Sequence, residues 1–383
     1  MGFTSQDDLV AQLTAGKYLR ADCSKITSPV HTAGGWHLLV GANGFPNAGT
    51  FPGTDLVWAN CNESSGDGTT VIGMPSGGLP GGSATKHLLN IGASLVAAAG
   101  APWQAKLVDL QGYYRLSTTN VTGTGSRTLI NSNTFTADAG TDLITYTNDF
   151  KTLTKVRFTT TTTLPAPLAL ATDYWLVRAS ATTANVATSL ANALAGTFVN
   201  ITDAGTGTHT LTIQMPRYAD GVGCEAFFVV QTAPTAGGPN LTASSYTNTA
   251  GTAGRAFQGA PSMGAAADAY ATRVLHSGNA AGRYGPFLPK QGGDTGIKSI
   301  ESFTWSGGTA YTGTGVVALC IARPLADIAI PVSGMWSERD LVNQLPSLPQ
   351  VKDGACLAWM LFGAGATTAN SPFTTAIDFA WGG

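Results

Sequence analysis

Charged side chains are scarce in this chain of 383 residues. Asp, Glu, Lys and Arg make up only 11% of it, against roughly 25% in ordinary soluble domains. The 20 basic and 22 acidic residues nearly cancel, which leaves a formal charge of −2. Nucleic-acid binding needs a basic face that this balance does not supply. A surface so poor in charge is expected to become interface in an assembly, because interface cores are depleted in charged residues.

Long apolar runs and targeting segments are also missing. No run approaches the ~18 apolar residues that a membrane-spanning helix needs. Residues 1–8 lack the basic and then apolar layout of a signal peptide. We therefore expect no membrane partner and a protein that folds in a cytosol.

Cysteine and histidine patterns for disulfides or metals are absent. The five cysteines are an odd number with no close pair, so the sequence supports neither a disulfide framework nor a CxxC metal site: Cys23, Cys61, Cys224, Cys320 and Cys356. The last three lie in apolar, strand-like runs and are expected to be inert core thiols. The five histidines are isolated, without HxH or HExxH spacing, so we predict no metal ligand among them: His31, His37, His87, His209 and His276.

Motifs for catalysis and cofactor binding are missing too. The chain has no Gly-x-Ser-x-Gly elbow and no P-loop. The segment from Glu63 to Asp67 lacks the alternating acidic ligands and closing Glu of a calcium loop, and is predicted to be a solvated turn. The paired carboxylates of a glycan depolymerase are not visible. The sequence thus predicts no catalytic, cofactor-binding or metal-binding residue, and no enzyme.

What the chain does contain is an internal duplication. Lys86–Asn131 recurs without gaps as Lys298–Asn343, an offset of 212 positions (298 − 86). The coinciding pairs are Lys86/Lys298, Leu88/Ile300, Ile91/Phe303, Ser94/Ser306, Leu107/Leu319, Arg127/Arg339, Leu129/Leu341 and Asn131/Asn343. One β-rich unit has been doubled, which is typical of a scaffold that builds surfaces.

A second matched block follows each copy. Pro216–Gly221, continued by Cys224–Val229, matches Pro349–Gly354 and Cys356–Leu361. The offset there is only 133 positions (349 − 216), so the first copy holds 79 extra residues (212 − 133) between its two blocks. Both blocks contain an Asp-Gly pair, Asp220-Gly221 and Asp353-Gly354. A catalytic Asp pair is conceivable, but Asp-Gly before a strand favours a turn.

Alternation of apolar and polar residues predicts four strands in each copy. In the first copy they are His87–Val96, Gln104–Arg115, Glu225–Thr232 and Leu241–Thr247, and in the second Ile297–Trp305, Gly315–Ala322, Ala355–Gly363 and Thr374–Trp381. Short strands separated by frequent turns indicate a sandwich, jelly roll or Greek-key barrel. Trp359 and Trp381 fall in strands and should be core, whereas Trp103 is expected to be exposed.

The extra residues read as a small β-module inserted in the first copy. Five strand-like runs are predicted at residues 142–147, 156–160, 174–178, 198–202 and 209–213, with one short helix at Ala184–Leu194. A surface loop whose ends lie close together tolerates such an insertion. The module is therefore expected to project outward as a knob.

The N-terminal region predicts a short helix followed by an extended arm. Thr4–Leu13 forms an amphipathic stretch that Ser5 caps, with Asp8 three residues later. Ser337–Leu345 has a similar spacing and predicts a second short helix, so that one helix covers the open end of each β-domain. Residues 14–82 are rich in turn residues and predict loops with one or two strands.

Together these patterns predict an all-β protein. It has two pseudo-repeated domains of β-sandwich or jelly-roll type, a small inserted β-domain and a short N-terminal helix. The expected units are residues 1–82 for the helix and arm, 83–133 plus 213–285 for the first β-domain, 134–212 for the inserted domain and 286–383 for the second β-domain.

Parts of the chain resemble structural proteins of tailed bacteriophages. Thr163–Val177, Ala187–Thr197 and Ile201–Leu211 look like a small β-module inserted into tailed-phage virion proteins. The duplicated body, with Leu89-Asn-Ile-Gly92 and Asp294-Thr-Gly-Ile297, is similar to uncharacterised structural proteins of such phages. The resemblance implies a virion component that is assembled in the cytoplasm of a host bacterium, and it carries no catalytic residues to transfer.

Within a virion, the sequence favours a capsid decoration (cement) protein that binds across capsomer junctions. Its expected partners are the major capsid protein and its own copies. The copies are expected to form a trimeric ring, since closed symmetric assemblies dominate. Two alternatives are a major capsid protein and a tail-tube or tail-adaptor protein. A third is a host-surface adhesin that acts through residues 134–212.

Overall fold

The structure of the protein is a computed structural model. It describes residues 3–27, 31, 33–39, 57–61, 85–96, 100–117, 125–147, 150–232, 238–263, 273–275, 285–307, 315–368 and 371–382. Over these residues the fold is all-β, as predicted from the sequence. The described part contains two α-helices and one 3₁₀ helix: α1 (Gln6–Thr14), α2 (Leu190–Ala195) and Val342–Ser347.

The strands follow one another along the whole chain. Up to residue 131 they are β1 (Tyr18–Thr27), β2 (Trp36–Leu38), β3 (Val57–Asn60), β4 (Lys86–Leu95), β5 (Trp103–Ser117) and β6 (Ser126–Ile130). In the inserted module they are β7 (Ser132–Asp138), β8 (Leu143–Tyr146), β9 (Lys155–Thr160), β10 (Asp173–Arg178), β11 (Thr183–Ala187) and β12 (His209–Ile213). The remainder are β13 (Glu225–Thr232), β14 (Asn240–Asn248), β15 (Val274–Leu275), β16 (Ile297–Ser306), β17 (Val316–Ile330), β18 (Ser337–Asp340), β19 (Gln350–Val351), β20 (Leu357–Gly363) and β21 (Ser371–Trp381).

The central sheet is built around the two longest strands. Its order is β15-β13-β17-β5-β20-β2, with β3 also paired to β5. Strands β5 and β17 are equivalent in the two repeats and lie side by side, antiparallel. Leu110 pairs with Ala322, and these positions differ by the repeat offset (322 − 110 = 212). A local two-fold axis therefore passes between them.

The two repeats exchange strands in the outer sheets. One outer sheet has the order β1-β21-β4-β18 and the other β14-β16-β6. Strand β4 of the first repeat thus pairs with β21 and β18 of the second, and β16 of the second pairs with β14 and β6 of the first. The sequence divides the repeats along the chain at about residue 286, whereas the central sheet and both outer sheets combine strands from both stretches. Shared sheets leave fewer unpaired edges than two separate sandwiches would.

Both outer sheets cover the same face of the central sheet. Leu107 of β5 belongs to the buried cluster under the sheet of β4, and Tyr114 to the cluster under the sheet of β16. Side chains alternate along a strand, so residues seven apart would normally face opposite ways. The register shifts by one residue at Gln111, between the pairs of Leu110 and Gly112. That bulge reverses the side-chain alternation in the second half of the strand, so that both cores lie on one face of the sheet.

The inserted module closes into a barrel of six strands in the order β10-β11-β8-β7-β12-β9. Its first and last strands pair, and the backbone nitrogen of Ile213 donates to the carbonyl oxygen of Asn131 at 3.2 Å. The two ends of the module are therefore adjacent. The barrel core is apolar and aromatic, with contacts such as Phe135–Phe158 and Phe158–Tyr174.

Two predictions within the module were wrong in detail. The stretch predicted as the helix Ala184–Leu194 begins as strand β11, because Ala184 and Val186 alternate into the barrel core. The helix starts only after Ser189, whose hydroxyl accepts from the backbone nitrogen of Asn192 at 3.0 Å. The run 198–202 is not a strand, although Val199 donates to the carbonyl of Val186 at 2.7 Å.

The two helix predictions at the ends of the chain had opposite outcomes. Helix α1 forms, with the hydroxyl of Ser5 accepting from the backbone nitrogen of Asp8 at 3.1 Å and Leu9 buried in the core. The predicted helix at Ser337–Leu345 was wrong, because the chain there forms strand β18 and then the 3₁₀ helix. Arg339 pairs with Ile91 of β4, and this tertiary pairing overrides the local helical spacing.

The predicted extended arm contributes strands to the body of its own chain. Strand β1 pairs with β21 over ten positions, β2 pairs with β20, and β3 pairs with β5. The segment from Glu63 to Asp67, predicted as a solvated turn, lies outside the described residues.

Candidate assembly surface and inter-repeat cleft

The described residues contain no cluster of three or more His, Cys, Asp or Glu side chains that could hold a metal ion. Among them there is also no helix long and apolar enough to cross a membrane. The candidate functional features of the described residues are exposed apolar groups, a cleft and a buried ion pair.

The cysteines that the structure describes are buried free thiols: Cys61, Cys224, Cys320 and Cys356. Burial raises the pKa of Cys224 to about 12, and it raises the pKa values of Cys320 and Cys356 well above the ordinary value. Thiols that stay protonated are poor nucleophiles. The prediction of core thiols at Cys224, Cys320 and Cys356 is confirmed, and the side chain of Cys23 is not described.

The histidines lie in separate places with one exception. His31 stacks on His37 with ring centroids 4.3 Å apart, and both rings are buried. Burial lowers the pKa of His31 to about 3, so its ring is neutral. His87 contacts Phe3, His209 lies in the barrel, and His276 is outside the described residues. The stacked pair could not be found from the sequence because its six-residue spacing matches no ligand motif.

The two Asp-Gly pairs form turns, as predicted. Gly221 and Gly354 have φ of 74° and 69°, in the left-handed region that favours glycine. The carboxylate of Asp220 accepts from the backbone nitrogen of Val222 at 3.1 Å. Asp353 forms an ion pair with the fully buried Lys86. Both aspartates thus have structural partners.

Tryptophan burial was predicted with mixed success. Trp359 is fully buried, as expected, while Trp381 is half-buried. The predicted exposure of Trp103 was wrong, since only 3% of it is exposed. Its ring fills the space above Gly363, where an added Cβ would lie 2.4 Å from the indole. A glycine on the neighbouring strand is the signal that could have shown this.

One end of the sandwich exposes an apolar patch, which we call the terminal patch. It consists of Val96, Val332, Met335 and Trp336, which are 50%, 45%, 58% and 40% exposed. The backbone nitrogen of Gly334 donates to the carbonyl of Leu95 at 2.8 Å, which ties the turn after β17 to the end of β4. The two segments that carry these four residues are therefore adjacent. Exposed large apolar groups that cluster mark an interaction surface, whereas scattered ones do not.

The anchor of this patch is Trp336, whose position is fixed on both sides. Its ring lies so close over Gly92 that a Cβ there would be 2.3 Å from the indole. Its Nε1 donates to Glu338 at 2.7 Å. An indole held in place but partly exposed loses little conformational entropy on binding, which is typical of an interface hot spot.

A cleft opens where the two repeats meet, with a volume of about 650 Å³. It is lined by the turns of both matched blocks, and the hydroxyl of Tyr218 donates to the carbonyl of Gln350 at 3.3 Å across it. Tyr218 has φ of 50°, which is unusual for a large side chain. The guanidinium of Arg323 lies 4.9 Å over its ring. Lys352 and Asp220 complete the charged lining.

Next to the cleft lies a buried ion pair that the sequence did not reveal. Arg217 donates to Asp109 from Nε at 3.0 Å and from Nη2 at 2.6 Å. Asp109 also accepts from the backbone nitrogen of Cys356 at 2.9 Å, and Arg217 donates to the carbonyl of Cys61 at 2.9 Å. The pair joins four segments that are distant in sequence. Asp109 sits in an apolar strand pattern, so nothing local indicated its partner.

Comparisons with known proteins identify no family. No family model and no curated protein matches the chain. Among solved structures, similarities were found to infectious bursal virus derived T=1 particles (8% identity, TM-score 0.17, 95% of this chain and 77% of that chain) and to the Gx strain of infectious bursal disease virus (10%, 0.16, 95% and 81%). A third is the VP2 subviral particle of that virus (12%, 0.10, 80% and 84%). Scores this low do not establish a shared fold.

Proposed function

We propose that this protein is a structural component of a tailed-phage particle, and within it a capsid decoration protein. The observation that carries the proposal is the terminal patch on a body with few charges. The sequence resemblance to tailed-phage virion proteins supports the same role. The proposed role is mechanical and includes no catalytic step.

In this proposal the partners are copies of the same chain, in a ring of three, and the major capsid protein. Each protomer contains two equivalent repeats, so a ring of three would present six similar surfaces to a quasi-sixfold lattice. Apolar area buried at such contacts stabilises the shell by about 25 cal/mol per Å². The protein would thereby raise the free energy needed to separate neighbouring capsomers.

A binding assay with shells tests the role of the terminal patch. Shells of the parent particle are prepared without this protein and mixed with the purified chain, and the bound fraction is measured by co-sedimentation. We expect Met335→Ser with Trp336→Ala to weaken binding roughly tenfold or more, because central aromatic anchors carry most interface energy.

The control variant changes an equally exposed residue away from the patch. Val10 on α1 is 58% exposed, the same as Met335, so Val10→Ser should leave shell binding unchanged. If the wild type fails to bind shells, or the patch variant binds as well as the wild type, the decoration role through this patch is ruled out.

The barrel supports a second candidate, a host-surface adhesin. It exposes Leu170, Leu194 and Phe198 at 61%, 53% and 41%. Exposed apolar residues on an inserted module suit contact with a cell surface. Removing the module should then abolish adsorption while the particles stay intact, whereas unchanged adsorption contradicts an adhesin role.

A further inference from the structure

Among the described residues, the outer edge of strand β1 is an open sheet edge. Strand β1 is the first in the order β1-β21-β4-β18, and it pairs with β21 over ten positions from Tyr18 to Thr27. In the described part of the chain no strand pairs with its other side. The outward N–H and C=O groups of such an edge are a template for another strand.

The two faces of β1 are distinct, which limits how a second strand can pair. Tyr18, Arg20 and Asp22 are exposed on the outer face, while Leu19 and Ala21 are half-buried against the core. A slip of one residue would turn an apolar face to solvent. Only registers that keep exposed residues opposite exposed residues are therefore allowed.

We propose that a second copy of this chain pairs with β1 through its own β1, antiparallel and with Ala21 opposite Ala21 of the partner subunit. In this register Arg20 lies opposite Asp22 of the partner subunit, and the two-fold axis repeats the pair. Opposite charges across a strand pair stabilise it.

Neighbouring registers are disfavoured by charge. A shift of two residues in one direction places Arg20 opposite Arg20 of the partner subunit. A shift of two residues in the other direction places Asp22 opposite Asp22 of the partner subunit. Like charges directly opposite destabilise a strand pair. In the proposed register the lysines at positions 17 and 25 fall opposite each other at both ends, so the paired segment is limited to Tyr18–Ser24. Charged residues usually protect an edge from pairing, but these charges select one self-complementary register.

The side chains involved are already held near the edge. Arg20 lies 3.0 Å from Asp22 through Nε and 3.8 Å from Asp378 through Nη1. Asp378 is nearly buried and accepts from the Tyr18 hydroxyl at 2.5 Å and from the Asn90 amide at 3.1 Å. Arg20 is thus anchored to a fixed carboxylate and can turn toward a second one. Ion pairs this exposed contribute little binding free energy. The backbone hydrogen bonds therefore supply the affinity, and the charges determine the register.

This contact rests on the proposed assembly role, in which a two-fold contact links protomers of neighbouring rings and does not close the ring of three. It is tested without any shell. The dissociation constant of the full chain is measured by sedimentation velocity over a range of concentrations. Arg20→Asp alone and Asp22→Arg alone each place two like-charge pairs in the contact, and we expect each to weaken it about tenfold. The double variant Arg20→Asp with Asp22→Arg restores the complementarity and should return to within about threefold of the wild type.

A cross-link gives an independent readout of the register. Directly opposed residues of antiparallel strands have Cα atoms about 4.5–5.5 Å apart, within disulfide range. Ala21→Cys should therefore form a covalent dimer on mild oxidation, whereas Ser24→Cys, which lies opposite Tyr18 of the partner subunit, should not. A wild type that stays monomeric or stops at trimers, a double variant as weak as the single ones, or absence of the Ala21→Cys dimer would overturn the proposal.

The outcome is separable from that of the shell assay. The terminal patch variant lacks Met335 and Trp336 but keeps β1, so its self-association should equal that of the wild type. Loss of shell binding with intact dimers would support both proposals. Shell binding without dimers would leave the decoration role standing and remove this contact.

Discussion

At the scale of single residues, the buried pair of Asp109 and Arg217 is a sensitive point of the body. Both side chains are almost fully buried, with 0% and 6% exposed. Position 321, which is equivalent to 109 by the repeat offset, is Ile, so the pair has no counterpart in the second repeat. The two-fold arrangement does not duplicate the pair, so no equivalent ion pair remains when it is lost.

Removing one partner should destabilise the protein strongly. Arg217→Met leaves the Asp109 carboxylate buried without its cation, and we expect the free energy of unfolding to fall by about 3–5 kcal/mol. The measurement is urea denaturation at neutral pH. The control is Arg157→Met, because Arg157 is 40% exposed and Asp173 keeps Lys155 as a partner; its cost should stay below about 1 kcal/mol. Equal costs for the two variants would contradict the assigned role of the buried pair.

Asp294 gives a prediction about acid stability. Hydrogen bonds from Arg255 and then Tyr246 lower the pKa of this carboxyl to about 2, and its side chain is only 3% exposed. A carboxyl with a lowered folded-state pKa stabilises the fold above its unfolded value, near 3.8, and this contribution is lost as the pH falls toward 2. Asp294→Asn should therefore reduce the slope of stability against pH between about 4 and 2.

The test for Asp294 is a set of urea titrations at several acidic pH values. Asp138 is a matched comparison, because the pKa of this exposed carboxyl is lowered by a local hydrogen bond from the backbone of Gly140. Asp138→Asn removes a turn contact rather than a tertiary ion pair, so it should change the slope less. An unchanged slope in Asp294→Asn would contradict the prediction.

At the scale of elements, strands were predicted well where apolar and polar residues alternate in step with burial. The run Glu225–Thr232 coincides with β13, and Ile297–Trp305 ends one residue before β16 does. Helices were harder to predict. The segment Ser337–Leu345 resembles helix α1 in the spacing of its residues, but it occupies the position of strand β6 in the repeat. The 212-residue offset aligns Arg339 with Arg127 of strand β6. In the structure this segment forms strand β18, as the repeat position indicates. Local spacing cannot decide between two such matches, since the partner strand β4 lies far away in sequence.

The barrel allows a test at the element scale, because its ends are adjacent. Replacing residues 132–213 by a short Gly-Ser linker should leave the body folded, since Asn131 and Ile213 are already hydrogen-bonded. Some stability is lost, because the apolar cluster of the barrel is continuous with that of the body through residues such as Leu129 and Met215.

The measurement is again urea denaturation, with the m-value as the readout. Because m scales with the surface exposed on unfolding, it should fall by roughly a fifth, the share of residues removed, while the transition stays cooperative. A body that no longer unfolds cooperatively would show that the module is part of the core rather than an insertion.

At the scale of the whole molecule, the duplication was visible in the sequence but the exchange of strands was not. The offset shows that β5 and β17 are equivalent, and it does not say that they pair with each other. Nor could the pattern show that β4 takes its neighbours from the second repeat. Both questions depend on non-local contacts, which leave no period in the sequence. The terminal patch was hidden for the same reason, since Val96 and Trp336 become neighbours only in the fold.

The exchanged strands also bear on what the molecule can do. A body whose sheets combine both repeats cannot separate into two halves without breaking the central pairing of β5 and β17, which runs from Trp103 to Ser117. Such a body is suited to resist force, which the proposed role requires. A decoration protein needs this property, because it must hold neighbouring capsomers together as the shell is loaded.

The most direct test of the central claim is a reconstruction of the parent particle by electron cryo-microscopy. The account predicts this chain on the shell, across a junction between capsomers, with Met335 and Trp336 buried against a neighbouring subunit. Particles that lack the protein altogether, or in which it is present with the terminal patch fully exposed to solvent, would contradict it.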